Sequence, residues 1–212
     1  MKPHGGQPVQ TAGRPLEESD AAMIMVHGRG ASPANILELV PALDRPAFTY
    51  LAPAAAGQTW YPYSFLTDMA KNEPGLSSGL YVLDQLVTDL EARGVPRDRI
   101  LLLGFSQGAC LSAEYAVRHP GRYGGVMVFS GGLIGPPGTN WDAAGSFAGT
   151  PVFLGCSDVD PHIPKQRVDE SAAVFERLGA SVTRRLYPGM GHLVNDNEIA
   201  FAQSVMDQVL RS

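Results

Sequence analysis

The most constraining feature of the sequence is a nearly uniform apolar run at residues 100–105, Ile-Leu-Leu-Leu-Gly-Phe, which leads directly into Ser106. A strand without polar residues must be covered on both faces, which is typical of a parallel sheet between helices. Other short β-type runs alternate with amphipathic stretches along the chain, and this alternation predicts an α/β domain. We predict strands at 22–27, 48–52, 100–105, 125–129, 151–154 and 182–187, and helices at 33–43, 76–93, 107–118, 165–178 and 195–210.

Length and composition fit one globular domain. A chain of 212 residues is long enough to bury a sizeable core, and 44% hydrophobic residues argue against extensive disorder. Residues 1–20 contain several prolines and glycines and lack the apolar segment of a signal peptide. We therefore expect a flexible N-terminal tail at 1–20, followed by a single domain at 21–212.

Charge and hydropathy exclude two classes of partner. The formal net charge is −5 and basic residues form no run, which argues against nucleic-acid binding. No apolar stretch reaches the roughly 18 residues that span a bilayer, so we expect a cytoplasmic protein without a membrane span. Cys110 and Cys156 are too few for a disulfide scaffold. We expect two buried thiols, with a bridge between them as the alternative.

The segment Gly104-Phe105-Ser106-Gln107-Gly108 matches the G-x-S-x-G pattern. The pattern alone is a weak signal, but here it joins a predicted buried strand to a predicted helix. On such a turn the serine projects from the tip, where the helix dipole and the N–H of Gln107 favour a developing negative charge. We predict that Ser106 is a nucleophile; the alternative is a glycine-bounded turn whose serine only caps the helix.

A nucleophilic serine needs a base and a third group that orients the base. In strand–turn–helix nucleophile sites the chain order is serine, acid, histidine. His192 lies in a glycine-rich loop between the last strand and the last helix, which favours it as the base. Asp158 and Asp160 both follow the strand at 151–154, and spacing does not separate them. With His162 and His192 they also suggest a metal site, although no ligand spacing of a known type is visible.

Taken together, these motifs resemble the phospholipase/carboxylesterase family of α/β-hydrolases, which includes acyl-protein thioesterases. The resemblance covers about residues 22–210 and implies an α/β-hydrolase fold, with helices on both faces of a mostly parallel sheet and no large lid domain. It rests on His-Gly-Arg-Gly at 27–30, Ala-Pro at 52–53, Trp-Tyr at 60–61, Gly-Phe-Ser-Gln-Gly-Ala at 104–109, Ser-Gly-Gly-Leu at 130–133, Asp-Pro-His-Ile-Pro at 160–164 and Gly-His at 191–192.

The resemblance also assigns roles to residues. The family carries its acid in an Asp-Pro-x-Val-Pro segment, which falls on Asp160 with Ile163 in place of valine. It implies an oxyanion hole formed by the backbone N–H groups of Arg29 and Gln107. It implies no metal and no organic cofactor, and family habit suggests a homodimer. Three residues are expected to bind substrate, namely Trp60, Tyr61 and Leu133.

Two loops leave open questions. The first loop, at residues 27–31, departs from the pattern of the family, and the long loop at 53–75 contains several aromatic residues. The family often has leucine at the position of Arg29. Our hypothesis is that Arg29 favours an anionic group on the substrate or clamps a nearby carboxylate, and the alternative is a solvated arginine. The long loop contains aromatic residues that line an acyl pocket or pack the loop itself: Trp60, Tyr61, Tyr63 and Phe65.

The sequence therefore predicts a carboxylesterase that cleaves small-molecule esters through an acyl-enzyme on Ser106. An acyl thioesterase or lysophospholipase acting on longer chains is the first alternative. A hydrolase of the dienelactone type fits less well, because it would use cysteine as the nucleophile. A non-catalytic binding module is the alternative from another class. We interpret two further histidines as structural: His27 orders the first loop, and His119 ends a helix.

Overall fold

The apolar run at 100–105 forms β4, the middle strand of a seven-stranded sheet. The computed structural model of the chain describes residues 3–211. The strand order is β1-β3-β2-β4-β5-β6-β7, and every neighbouring pair is parallel except β1 with β3. The strands are β1 Val9–Gly13, β2 Ala21–Val26, β3 Phe48–Pro53, β4 Ile100–Phe105, β5 Gly125–Phe129, β6 Pro151–Ser157 and β7 Ser181–Tyr187.

Helices cover both faces of the sheet, as the apolar strands predict. Along β4, Leu102 faces one core cluster while Leu101 and Leu103 face the other, because successive strand side chains point to opposite faces. All three leucines are fully buried. Within residues 3–211, no helix is long and apolar enough to cross a membrane. The helices are α1 Pro33–Leu37, α2 Val40–Leu43, α3 Gly75–Ala92, α4 Gln107–Arg118, α5 Lys165–Arg177 and α6 Asp196–Arg211.

The helix predicted at 33–43 is wrong as one element, since the structure divides it into α1 and α2. Pro41 lies in the first turn of α2 and has no backbone N–H to donate to Leu37. A continuous helix through this position would leave that carbonyl without its partner. The first turn of a new helix tolerates proline, because its N–H groups have no intrahelical acceptor there.

The expectation of a flexible tail at residues 1–20 is wrong for the described part of this segment. Instead of a flexible tail, residues 9–13 form β1, which pairs antiparallel with β3 along its whole length. His4 is buried, with 3% of its surface exposed. Residues 1 and 2 of the expected tail lie outside the described residues. The side chains of β1 are mostly exposed, so backbone hydrogen bonds hold this edge strand without leaving a hydrophobic pattern in the sequence.

Glu198, in the first turn of α6, is a buried carboxyl. Its Oε2 accepts a hydrogen bond from the backbone N–H of Asn195 at 2.9 Å. Its Oε1 has no partner among the described residues and lies against Gly155. Burial raises the pKa of Glu198 to about 7, although the bond from Asn195 opposes the rise. The folded protein therefore keeps a proton that the unfolded chain releases.

We expect Glu198→Gln to stabilise the protein at pH 8 more than at pH 5. A folded-state pKa near 7 against the usual 4.5 corresponds to a penalty of about 3 kcal/mol. The penalty is complete above pH 7 and disappears as the pH falls to 4.5, because ionisation then no longer differs between the two states. Urea unfolding at both pH values measures the difference. Glu176→Gln, at an exposed position of α5, is the control. Equal effects of Glu198→Gln at both pH values would contradict the assignment.

Candidate active site

Ser106 lies on a sharp turn between β4 and α4, with φ 55° and ψ −119°. This positive φ is uncommon for a residue with a side chain. The N–H of Ser106 donates to the carbonyl of Phe129 at 3.0 Å, which ties the turn to β5. A Cβ at Gly104 or Gly108 would overlap with backbone, in the second case that of Val26. The two glycines of the motif are therefore required by close approach of the chain.

Three side chains form a continuous hydrogen-bonded chain at the carboxyl edge of the sheet. The Oγ of Ser106 lies 2.8 Å from Nε2 of His192, and Nδ1 of His192 lies 2.8 Å from Oδ2 of Asp160. Asp160 follows β6, while His192 lies in the loop between β7 and α6. Because an ionised carboxylate only accepts, Nδ1 carries the proton, and Nε2 is left to accept from the serine hydroxyl.

The carboxylate of Asp160 is fully buried and surrounded by donors. Its Oδ1 accepts from the backbone N–H groups of His162 at 2.8 Å and Ile163 at 3.0 Å. The thiol of Cys156 lies 3.7 Å from Oδ2. Burial alone would raise the pKa of Asp160, but the bonds from His192 and from the two backbone N–H groups outweigh it and lower the pKa. The carboxylate is therefore ionised at neutral pH.

The structure separates the two aspartates that spacing leaves equivalent. Asp158 does not contact His192; its Oδ1 accepts from the backbone N–H of Gly189 at 2.8 Å. The hydroxyl of Ser157 accepts from the N–H of Gly191 at 3.2 Å. Both bonds hold the loop that carries His192, so Asp158 anchors this loop without contacting the imidazole.

His162 flanks the hydrogen-bonded chain without joining it. Its side chain is exposed, and its ring centroid lies 4.8 Å from that of His192 in an edge-on arrangement. Across residues 3–211 there is no group of three or more histidine, cysteine or acidic side chains arranged to hold a metal ion. Cys110 and Cys156 are both buried and unbridged.

The first loop lies directly beside Ser106. A Cβ placed on Gly28 would come within 3.3 Å of the Cβ of Ser106. His27 orders this loop: its Nδ1 lies 2.8 Å from the carbonyl of Gly28, and its Nε2 accepts from the N–H of Ala55 at 3.1 Å. The N–H of Gly30 donates to the carbonyl of Gln58 at 2.7 Å. The backbone of the intervening Arg29 is thus held next to Ser106.

The side chain of Gln107 has a role that the sequence analysis did not foresee. Its Oε1 accepts from the N–H of Trp60 at 2.8 Å, and its Nε2 donates to the carbonyl of Tyr61 at 2.8 Å. Its backbone N–H is in the first turn of α4, where helical N–H groups have no intrahelical acceptor. Gln107 therefore joins the turn at Ser106 to the long loop.

The guanidinium of Arg29 binds the long loop. It donates to Oγ1 of Thr59 at 3.1 Å and to the carbonyls of Pro62 at 2.8 Å and Tyr63 at 2.7 Å. None of these acceptors is a carboxylate, so the expectation of a carboxylate clamp is wrong. A loop clamp replaces it, and Arg29 still lies on the wall of the adjoining cavity.

A cavity of about 490 Å³ opens in front of Ser106. Tyr61, Tyr63 and Phe65 line it, together with Gly28, Arg29, Ala31, Pro62, Ser64, Phe105, Ser106, Gln107, Cys110, His162, Ile163 and His192. The wall therefore combines aromatic and apolar side chains with Arg29, His162 and His192, and His192 lies directly beside Ser106. Such a lining suits an acyl group next to a polar reaction centre.

Trp60 and Leu133 do not reach this cavity, which corrects the expectation that they bind substrate. Both side chains are fully buried. The Trp60 ring lies between those of His4 and His27, at 5.2 Å from each, and its Nε1 donates to the carbonyl of His27 at 3.0 Å. Leu133 lies in the core, and its N–H donates to Oγ of Ser171 at 2.9 Å. Among the aromatic side chains of the long loop, Trp60 thus packs in the interior, whereas Tyr61, Tyr63 and Phe65 line the cavity.

Known proteins share this arrangement of the chain. Acyl-protein thioesterase 1 of Eremothecium gossypii is 28% identical over 94% of this chain and 94% of its own length. Acyl-protein thioesterase 1 of Schizosaccharomyces pombe is 30% identical over 69% of this chain and 68% of its own. The crystal structure of a phospholipase/carboxylesterase from Dyadobacter fermentans DSM 18053 superposes with a TM-score of 0.91 at 38% identity, covering 99% of both chains.

More distant structures share the fold. Esterase PE8 superposes with a TM-score of 0.80 at 21% identity, over 96% of this chain and 99% of its own. Residues 10–210 match the family model described as Phospholipase/Carboxylesterase. That match begins within β1 and continues nearly to the end of α6. The chain therefore belongs to the phospholipase/carboxylesterase family of α/β-hydrolases.

Proposed function

We propose that this protein is a carboxylesterase-type serine hydrolase that forms an acyl-enzyme on Ser106. The observation that carries the proposal is the hydrogen-bonded chain from Asp160 through His192 to Ser106, which ends at an open cavity. A serine hydroxyl is a weak nucleophile unless a base removes its proton as it attacks. In this chain the base is 2.8 Å away and is oriented by a buried carboxylate.

The reaction follows from these positions. Nε2 of His192 takes the hydroxyl proton while Oγ of Ser106 bonds to the carbonyl carbon of the ester. The tetrahedral intermediate collapses, the bond to the alcohol breaks, and the imidazolium returns the proton to the leaving oxygen. Water, deprotonated by the same histidine, then releases the acid and restores Ser106. Asp160 stays ionised throughout and stabilises the imidazolium that forms in each half-reaction.

The negative oxygen of the intermediate needs donors that are already in place. We assign this role to the backbone N–H groups of Arg29, in the first loop beside Ser106, and of Gln107, the residue after Ser106. Their surroundings support this assignment, since the first loop is held by Gln58 and the Gln107 side chain by the long loop. Each such donor contributes on the order of 2.7–4 kcal/mol to lowering the barrier.

A thioesterase is the second candidate, because the E. gossypii and S. pombe relatives are named acyl-protein thioesterase 1. Matched oxygen and thiol esters with the same acyl chain, from acetyl to decanoyl, separate the two activities. A carboxylesterase has the higher kcat/KM on short oxygen esters, whereas a thioesterase or lysophospholipase prefers long acyl chains. The same proposal includes a cytoplasmic location, which suits the two unbridged thiols, and a homodimer.

Arg29→Ala tests whether the cavity favours anionic substrates. One unpaired charge near the solvent contributes about 1 kcal/mol, which corresponds to roughly five-fold in kcat/KM. We expect the variant to lower the ratio of kcat/KM for an acidic ester to that for its neutral analogue by this factor. The ratio is used because Arg29→Ala also removes the bonds to the long loop. That loss lowers kcat/KM for both esters alike and cancels in the ratio. Arg14→Ala, away from the cavity, is the control. An unchanged ratio would contradict the substrate preference.

A further inference from the structure

We propose that His4, in the N-terminal segment, is a positioning residue for the oxyanion hole. It acts through residues 55–61, which we call the wall segment. The inference rests on the proposed function, because it concerns the donors that this function requires. His4 lies outside the cavity lining and does not touch the reacting atoms.

The ring of His4 holds the wall segment at two points. Its Nδ1 accepts from the backbone N–H of Ala56 at 3.0 Å, and its Nε2 lies 2.8 Å from the carbonyl oxygen of Trp60. Because Nδ1 faces a donor, the proton is on Nε2, which donates to Trp60. The backbone N–H of His4 donates to Oγ of Ser78 on α3 at 2.9 Å. His4 thus fastens the wall segment to the N-terminal segment and to α3.

The wall segment in turn contacts both sides of the oxyanion hole. The carbonyl of Gln58 accepts from the N–H of Gly30, the residue after Arg29. The N–H of Trp60 and the carbonyl of Tyr61 bind the side-chain amide of Gln107. The wall segment therefore bonds to the residue that follows Arg29 and to the side chain of Gln107. Through these bonds it can position both backbone donors that we assign to the oxyanion.

A second histidine holds the same segment from the other side. The N–H of Ala55 donates to Nε2 of His27, and the N–H of Ala56 donates to Nδ1 of His4. The Trp60 ring packs between the two imidazoles. Both bonds require an unprotonated nitrogen, so both rings must be neutral. Protonation of either ring would place two N–H groups face to face.

Burial lowers the pKa of His4 and of His27, although backbone acceptors of their ring protons oppose the effect. The titratable group facing His4 is His27; its other contacts are Trp60, Ser78 and backbone, none of which titrates between pH 5 and 8. With a folded-state pKa below the usual 6.5, the clamp is intact above that pH. It is lost as the pH falls through the lower folded-state pKa.

Three substitutions separate the contacts of His4. Alanine removes both ring bonds. Asparagine places an acceptor near the position of Nδ1 and keeps only the bond from Ala56, while glutamine places a donor near the position of Nε2 and keeps only the bond to Trp60. Gln10→Ala, at an exposed position of β1, is the matched control in the same segment. Thermal unfolding of every variant verifies that the protein remains folded at the assay temperature.

Removing one oxyanion donor lowers kcat by about 10²–10³. His4→Ala leaves both donors in the protein and only loosens their positions, so the expected loss is smaller. We expect His4→Ala to lower kcat about ten-fold and to change KM by less than about two-fold. A trifluoromethyl ketone, whose hemiketal adduct with Ser106 carries the oxyanion, should lose affinity by the same factor as kcat. His4→Asn and His4→Gln should lie between the wild type and His4→Ala. The ratio of wild-type kcat to His4→Gln kcat should stay constant down to pH 6.5 and fall toward one only at lower pH. His4 titrates only in the wild type, whereas His27 titrates in both proteins.

A different pattern overturns the inference. If His4→Ala lowers the unfolding temperature but leaves kcat and inhibitor affinity unchanged, His4 only stabilises the fold. If KM rises while kcat stays constant, His4 shapes the cavity and not the oxyanion hole. Ser106→Ala is measured beside these variants. An active Ser106→Ala contradicts the proposed function itself, whereas an inactive Ser106→Ala with an unaltered His4→Ala contradicts only the role of His4.

Discussion

Ser106→Ala is expected to lower kcat/KM for p-nitrophenyl esters by about four to six orders of magnitude. In the proposed mechanism Oγ of Ser106 bonds to the substrate, and this atom lies 2.8 Å from Nε2 of His192. The methyl of alanine has neither a proton for His192 to take nor an oxygen for the acyl group. The remaining activity would come from the oxyanion donors and the cavity alone. Esters from acetate to decanoate measure the loss across chain lengths.

The fold should tolerate this substitution. The hydrogen bonds that shape the turn come from the backbone of residue 106, which alanine retains. Ser112→Ala in α4, the helix that follows the turn, is the matched control, because Ser112 is buried and its Oγ has no partner among the described residues. Both variants should unfold at nearly the wild-type temperature, and only Ser106→Ala should lose activity. Full activity in Ser106→Ala would contradict the assignment of the nucleophile.

Asp160→Asn should lower kcat by about 10⁴, whereas Asp158→Asn should change it only a few-fold. The backbone N–H groups of His162 and Ile163 point at Oδ1 of Asp160, so they would keep the amide oxygen of asparagine on their side. The amide NH₂ would then face Nδ1 of His192. A donor at that point forces the proton of the imidazole onto Nε2, which can no longer accept from Ser106.

Asp158 offers a matched comparison two residues away. Its Oδ1 accepts from the N–H of Gly189, and an asparagine oxygen can accept the same bond. Steady-state rates of both variants on one ester measure the contrast. Equal losses in the two variants, or a larger loss in Asp158→Asn, would contradict the assignment of the acid.

The residues to which we assign catalytic roles could be found by sequence analysis, because each one follows a strand and their chain order is characteristic. Ser106 and His192 could be selected from motif and order alone. Asp158 and Asp160 could not be separated from the residues themselves, since both follow β6 and only their hydrogen-bond partners differ. The resemblance to a known family selected Asp160, which is the aspartate that contacts His192.

The surroundings of the site were less predictable, for physical reasons. A sequence shows that residues 60–65 are rich in aromatic side chains, but which of them face the cavity depends on the path of an irregular loop. Arg29 binds two carbonyls more than 30 residues away, and backbone acceptors leave no trace in the sequence. The same holds for β1 and His4, whose anchoring depends largely on backbone partners in β3 and the wall segment.

Covalent labelling of the nucleophile tests the central claim most directly. The wild-type protein is incubated with a fluorophosphonate, which reacts with activated serines, and the modified peptide is identified by mass spectrometry. We predict one adduct per chain, on Ser106, with loss of esterase activity in proportion to labelling and no adduct in Ser106→Ala. An adduct on another residue, or full esterase activity in a completely labelled protein, would contradict catalysis through Ser106.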